Sequence, residues 1–250
     1  MKNQITFISL FLISIFLVAC SSSDQIQPSD TGQGGSLARF AIVGNYLYVV
    51  DNTDINVFDI TNPLENQFIY KKEIGIGIET IFPFKDRLFI GSEHGMYTYS
   101  IQSNGIPEQQ SLFQHIESCD PVVANDSFAY VTLRTGSDCR FGVGENRLDV
   151  LDITNLDNPI LINSYSFENP AGMALDGGLL FLCDLNSGLH LLDVNDPYDV
   201  QKILTLDISS PLDAIALNGL LLVITPISVI EIDYSNLGEI KILSTITTDG

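Results

Sequence analysis

The chain has 250 residues, of which 45% are hydrophobic and 17% are charged. This length allows one large domain or two small ones, and the apolar content excludes a disordered protein. The 31 acidic residues outnumber the 11 Lys and Arg residues and give a formal net charge of -20. Most of the exterior therefore repels phosphate backbones and anionic lipid surfaces, and nucleic-acid binding is excluded.

The chain begins with the features of an export signal. Lys2 precedes an apolar run from Ile5 to Val18, which is too short to span a bilayer because that requires about 20 residues. Residues 1–19 are therefore predicted to be a signal peptide. The residues LVAC (17–20) resemble the lipobox of bacterial lipoproteins, and this resemblance implies cleavage before Cys20 and its lipidation. An ordinary signal peptide with an incidental cysteine is the alternative.

A polar segment follows the predicted lipidation site. Residues 20–36 are rich in Ser, Gly and Gln and contain a single aliphatic residue, Ile26. Such a composition buries too little apolar surface to fold, so these residues are predicted to be a flexible tether. The folded domain is then expected over residues 37–250.

The domain consists of five sequence repeats. Each repeat contains an apolar segment that serves as its first marker. The ends of the five segments are separated by 41, 41, 51 and 41 positions. The five copies are NYLYVVD (45–51), DRLFIGS (86–92), SFAYVTL (127–133), GLLFLCD (178–184) and GLLLVIT (219–225). A second marker follows each copy, with Asp at its centre in four repeats and Ser100 in the other. A period of about 41 residues predicts a repeat architecture.

Each repeat is predicted to contain four short strands, named a to d. In the first repeat these are about Arg39–Val43, Tyr46–Val50, Asn56–Ile60 and Gln67–Ile74. Several strands are continuous apolar runs, which indicates burial on both faces. The prediction is an all-β protein, a five-bladed β-propeller of four-stranded antiparallel blades. The Asp that ends strand c is expected to bond the following backbone turn rather than to act in catalysis.

The first repeat resembles a known family. Its segment IVGNYLYVVDNTDINVFDITNP (42–63) is similar to the unit of LVIVD-repeat propeller proteins, and the resemblance extends from Leu37 to about Ile246. Together with the lipobox and Ser21 after the cysteine, the chain is similar to outer-membrane lipoproteins of the Bacteroidetes type. The resemblance implies an architecture and a location, and it implies no particular reaction.

The beginnings of the a strands are the first candidate binding site. In a propeller the b-to-c and d-to-a connections emerge on one face, here called the top face, where strand a starts at the central channel. Convergent polar groups at such an opening predict a binding site, although a purely structural ring of charges is the alternative. The candidates at these positions are Arg39, Glu79, Asp120 and Asp213.

An insertion in the third repeat is the second candidate. Residues 134–146 lengthen a b-to-c connection and contain Cys139, and Cys119 precedes strand a of the same repeat. In an oxidising compartment we predict a Cys119–Cys139 disulfide, which would contribute about 3 kcal/mol in the chain-entropy model. Arg134, Asp138 and Arg140 are further candidate binding residues. Cys183 has no mate and is expected to be a buried apolar residue.

These features predict a monomeric, non-catalytic module that binds or scaffolds an envelope protein or glycan and contacts the membrane through its lipid anchor only. His94, His115 and His190 lack the spacing of metal ligands, so no metal or cofactor is predicted. A glycan-processing hydrolase or lyase is the alternative, with Glu79 and Asp120 or Asp213 as its acid and base. The sequence leaves open whether the ring closes by side-chain packing or through the tether.

Overall fold

A computed structural model describes residues 34–114, 121–134 and 145–247. Twenty strands form five sheets of four strands, and in each sheet the strand order follows the chain. All neighbouring strands are antiparallel. The predicted five-bladed propeller is confirmed. Over the described ranges, the chain has no helix with the length and apolar character needed to cross a membrane.

The blades follow one another along the chain, and each begins with its inner strand. Blade 1 comprises β1 (Phe40–Val43), β2 (Tyr46–Val50), β3 (Asp54–Asp59) and β4 (Gln67–Glu73). Blade 2 comprises β5 (Ile78–Phe84), β6 (Arg87–Ser92), β7 (Gly95–Ile101) and β8 (Pro107–Gln114). Blade 3 comprises β9 (Val122–Ala124), β10 (Phe128–Leu133), β11 (Arg147–Asp152) and β12 (Ile160–Ser166). Blade 4 comprises β13 (Pro170–Asp176), β14 (Leu179–Asp184), β15 (Gly188–Asp193) and β16 (Gln201–Leu206). Blade 5 comprises β17 (Asp213–Leu217), β18 (Leu220–Ile224), β19 (Ser228–Asp233) and β20 (Lys241–Thr247).

The recurring Asp at the end of the third strand has the structural role that the sequence predicts. Asp59, Asp152, Asp193 and Asp233 each accept the backbone N–H two residues later, at 2.8 to 2.9 Å. The side-chain and backbone bonds from the residue two positions on lower the pKa of Asp59, Asp152 and Asp233. These carboxylates therefore start the turn to the outer strand.

The outer strand of every blade carries a register irregularity against the third strand. A β-bulge at this point bends the strand and increases its local twist. Bulged edges pair poorly with strands of other molecules, so the repeat protects its own exposed edges.

Four apolar clusters hold consecutive blades together. Representative buried members, from the first interface to the fourth, are Tyr48 and Ile90, Phe89 and Val131, Tyr130 and Met173, and Phe181 and Ala214. Among the described residues no such cluster joins blade 5 to blade 1. We call this fifth interface the seam.

The seam contains a groove instead of a filled core. A cavity of about 560 Å³ lies between β1 and β17 and reaches residues 34–38. Phe40 is 60% exposed, and Ile42 is 38% exposed, although both belong to an inner strand. The ring is therefore packed unevenly, with apolar side chains left partly uncovered at the point where its two ends meet.

Candidate functional site

The connections predicted to share the top face do so. The loop after β2 contacts the loop that enters blade 2, because Ile74 N–H donates to the Thr53 carbonyl (2.9 Å) and Ile78 N–H donates to the Asn52 carbonyl (3.1 Å). Blade 2 repeats the contact through Glu93 N–H and the Gly77 carbonyl (2.9 Å). The long insertion joins β10 to β11, so its described ends lie among the same set of connections.

The charges of three residues act on Glu79 at the top face, and we call Arg39, Glu79, Glu93 and Arg134 the charged quartet. Glu79 is partly buried, and its burial raises the pKa of its carboxyl group. The nearby Glu93 charge raises this pKa further, whereas the Arg39 and Arg134 charges lower it. The structure therefore brings two other predicted residues, Arg39 and Arg134, within electrostatic range of Glu79.

Glu93 is a member of the quartet that the sequence analysis missed. It lies directly after β6 in the b-to-c turn of blade 2, beside the exposed His94. The same blade supplies Glu79 near the start of its inner strand, and the Glu93 N–H bond to Gly77 brings the turn close to that strand. The repeat alignment contained this signal, because b-to-c turns and a-strand beginnings share one face.

Several predicted residues lie outside the described ranges: Cys20, His115, Cys119, Asp120, Asp138, Cys139 and Arg140. The described residues beside the two cysteine-bearing segments are in contact, since Thr132 N–H donates to the Pro121 carbonyl at 3.1 Å. Pro121 follows the segment with Cys119, and Thr132 precedes the insertion with Cys139. The disulfide between them stays a prediction.

Asp213 begins inner strand β17 as predicted, but it is buried in a contact that spans the seam. Its Oδ1 accepts bonds from Ser36 Oγ (3.1 Å) and Ala214 N–H (3.0 Å), and its Oδ2 accepts Leu37 N–H (3.1 Å). Ser36 Oγ in turn accepts Met173 N–H of blade 4 at 2.6 Å. Residues 34–38, which we call the clasp, are thus bound to blades 4 and 5 immediately before blade 1 begins.

Two glycines make room for the Asp213 carboxylate. A Cβ atom added to Gly35 or to Gly172 would collide with the carboxylate oxygens. Ser36 is fully buried, although the sequence places it at the end of the tether. The clasp therefore answers the open question of closure: residues of the predicted tether take part in it through side-chain and backbone hydrogen bonds.

Burial dominates the electrostatics of Asp213. It raises the pKa of this carboxyl group from 3.8 to about 6, and the bonds from Leu37, Ala214 and Ser36 oppose the shift. The carboxylate is only 6% exposed and both oxygens are occupied. Its geometry therefore favours a structural role over presentation to a ligand in the channel mouth.

Two further titratable groups near the top face, His190 and Asp184, have local partners. His190 Nε2 lies 2.9 Å from Ser187 Oγ, and Nδ1 lies 2.8 Å from Thr205 Oγ1, while burial lowers the histidine pKa. Asp184 Oδ1 accepts the N–H groups of Asn186 and Ser187 and so shapes the adjacent turn. Within the described part of the chain, no group of three His, Cys, Asp or Glu residues could hold a metal ion.

Cys183 is fully buried in the cluster between blades 4 and 5, as expected for an apolar role. Burial raises the pKa of its thiol, which keeps the sulfur protonated and weakly nucleophilic.

Comparison with known proteins supports the repeat assignment. The model of the LVIVD repeat family matches residues 34–65 and 141–166, which include the first three strands of blade 1 and strands β11 and β12 of blade 3. Comparison with curated proteins gives no match.

Solved structures of similar fold come from several bacteria. A functionally unknown protein from Desulfotomaculum acetoxidans is 14% identical with a TM-score of 0.64, over 82% of this chain and 67% of that one. The periplasmic gluconolactonase PpgL of Pseudomonas aeruginosa is 12% identical with a TM-score of 0.62, over 82% and 69%. BamB from Moraxella catarrhalis is 8% identical with a TM-score of 0.53, over 72% and 53%.

The protein is therefore a β-propeller in which two segments match the LVIVD repeat model, and at such identities the solved structures show the fold alone. The chain spans between 53% and 69% of the length of the three solved structures. The activity of any one of them is therefore not transferred by the comparison.

Proposed function

We propose that this protein is a lipid-anchored module of the cell envelope that binds a protein or a glycan through its top face and catalyses no reaction. The observation that carries the proposal is the charged quartet. It places two of the chain's 11 Lys and Arg residues near two carboxylates, in a chain whose formal net charge is -20.

The quartet has the chemistry of a recognition surface. Each guanidinium offers several N–H donors in a fixed plane, which suits carboxylates and neighbouring hydroxyl groups of a ligand. Glu79 and Glu93 supply acceptors within the same cluster. Connections held on a rigid scaffold are the usual place for binding residues, and the top face collects the b-to-c and d-to-a connections.

Binding to envelope components tests this proposal. Pull-downs from envelope extracts and a glycan array would compare the native chain with Arg134→Ala and Arg39→Ala. The control is Lys241→Ala, which removes the same charge from an exposed outer strand paired with Glu239. We expect the quartet variants to lose a saturable ligand that the control retains. Equal binding by all variants would contradict the proposal that the ligand binds through the top face.

The anchor is a separate part of the proposal and has its own test. The lipobox supports lipidation of Cys20, and Ser21 supports passage to the outer membrane. Cells grown with a labelled fatty acid should incorporate the label into the native chain and not into Cys20→Ser. A native protein that carries no label, and that stays in the membrane fraction in the same amount as Cys20→Ser, would contradict the anchor.

A glycan-processing enzyme is the second candidate, and the raised pKa of Glu79 is the observation that favours it. A general acid must hold its proton near neutral pH, and partial burial of Glu79 acts in that direction. Turnover of envelope polysaccharides should then disappear in Glu79→Gln and persist in the exposed control Glu239→Gln. Unchanged turnover in Glu79→Gln would exclude this role for the residue.

A further inference from the structure

The seam differs from the other interfaces between blades in what fills it. Four interfaces contain buried apolar clusters, whereas the seam contains a groove of about 560 Å³. This volume lies within the range of small-molecule sites, about 300 to 1,000 Å³. Aliphatic and aromatic side chains from both ends of the ring form its walls, namely Leu37, Phe40, Ile42, Ile215 and Ile224.

The lining indicates the chemistry of an occupant. Among the described residues that line the groove, only Asp213 has a polar side chain, and the clasp and Ala214 occupy both of its oxygens. A polar ligand would lose its bonds to water and find few replacements in such a groove, which costs free energy. A hydrocarbon chain loses no hydrogen bonds and buries apolar surface on both walls.

We propose that the groove holds an acyl chain of the lipid on Cys20 when the protein is outside a membrane. This inference rests on the lipid anchor proposed above. Cys20 precedes Gly34 by 14 residues, which span at most about 50 Å when extended. Gly34 and Gly35 line the groove, so the segment that connects Cys20 to the folded domain joins the domain at the wall of the groove.

Covalent attachment singles out this lipid among other sources. A ligand joined by a short linker has an effective concentration of the order of millimolar, far above that of free fatty acid. Membrane and groove both remove the acyl chain from water, so the chain exchanges between them. The seam thereby shelters part of the anchor while the protein passes through an aqueous compartment.

A tryptophan reporter makes the proposal testable, because the native sequence contains no Trp. Phe40→Trp places the only indole in the groove, and Leu64→Trp places it in a turn of blade 1 whose native side chain is 91% exposed. Lipidated full-length protein would be prepared from cells fed brominated or ordinary fatty acid, then freed of detergent and isolated as the monomer. Bromine quenches indole fluorescence at close range.

We expect brominated acyl chains to remove most of the emission of Phe40→Trp and little of that of Leu64→Trp. Adding Ile215→Asp to the Phe40→Trp chain should restore the emission while the circular dichroism spectrum stays native. Equal emission from brominated and ordinary protein, with the lipid confirmed by mass, would overturn the proposal. Quenching that appears only when free brominated fatty acid is added would also overturn the proposal, because the groove would then take lipid from another source. Absence of lipid from the purified protein would instead show that the anchor is wrong, and this inference would fall with it.

Discussion

Asp213 gives the most quantitative prediction, because its burial links the stability of the ring to pH. Its pKa is about 6 in the folded protein and 3.8 for an ordinary aspartate. A group whose pKa is raised by folding contributes stability that is complete below about pH 4 and is lost as the pH rises through about 6. A difference of about 2.2 pH units corresponds to a loss of about 3 kcal/mol between these limits.

The variant Asp213→Asn removes this titration. The amide offers one oxygen where the carboxylate offers two. Either the Leu37 N–H or the Ala214 N–H therefore loses its acceptor at every pH. The variant is therefore expected to be less stable than the native protein at pH 4. Its deficit should shrink by up to about 3 kcal/mol by pH 7.5, because only the native protein then contains a buried charge.

Urea unfolding at a series of pH values, followed by circular dichroism, measures this change. Asp157→Asn serves as the control, since it makes the same chemical change at an exposed turn and corrects for the general effect of the net charge. A difference between native protein and Asp213→Asn that stays constant from pH 4 to pH 7.5 would refute the reasoning.

Three further predictions concern single residues. Non-reducing peptide mass mapping should find Cys119 linked to Cys139, and Cys119→Ser should cost about 3 kcal/mol of unfolding free energy; free thiols at both positions would contradict the link. Gly172→Ala should lower the unfolding free energy by about 1 to 3 kcal/mol, because the methyl group collides with Asp213; an unchanged denaturation midpoint would refute the close packing. Cys183 should react with a thiol reagent only on unfolding, so rapid labelling of native protein would disprove its burial.

The sequence predicts the architecture well because the information is local and repeated. Each blade needs the same alternation of apolar runs and turns, so a period near 41 residues is visible without tertiary contacts. The bond that the Thr61 N–H donates to the Asp59 carboxylate spans two residues, and the turn chemistry alone predicts it. Placement of Arg39, Glu79 and Arg134 on one face follows from the same repetition.

Closure of the ring could not be predicted in this way. The bond between Ser36 and Asp213 joins residues 177 positions apart and has no equivalent in another repeat among the described residues, so no periodic signal predicts it. Gly35 and Gly172 matter only because both approach one carboxylate in three dimensions. The unfilled seam depends on the packing of blade 5 against blade 1, which no segment of the sequence encodes alone.

The unequal interfaces also affect how the domain opens. Blades 1 to 5 are joined in series by four apolar clusters, and no such cluster of described residues crosses the seam, where the clasp forms polar bonds to blades 4 and 5. Few buried apolar contacts give a region low local stability. The seam is therefore the expected place for the first separation of neighbouring blades.

Site-specific photo-crosslinking in intact cells tests the central claim most directly. A photoreactive amino acid would replace the exposed His94, next to Glu93 on the top face, or, as the matched control, Leu64 in a turn between the third and fourth strands on the opposite face. The account predicts a discrete adduct from position 94, its loss on addition of Arg134→Ala, and no adduct from position 64. An adduct from position 64 alone, or one from position 94 that survives Arg134→Ala and Arg39→Ala, would contradict binding through the charged quartet.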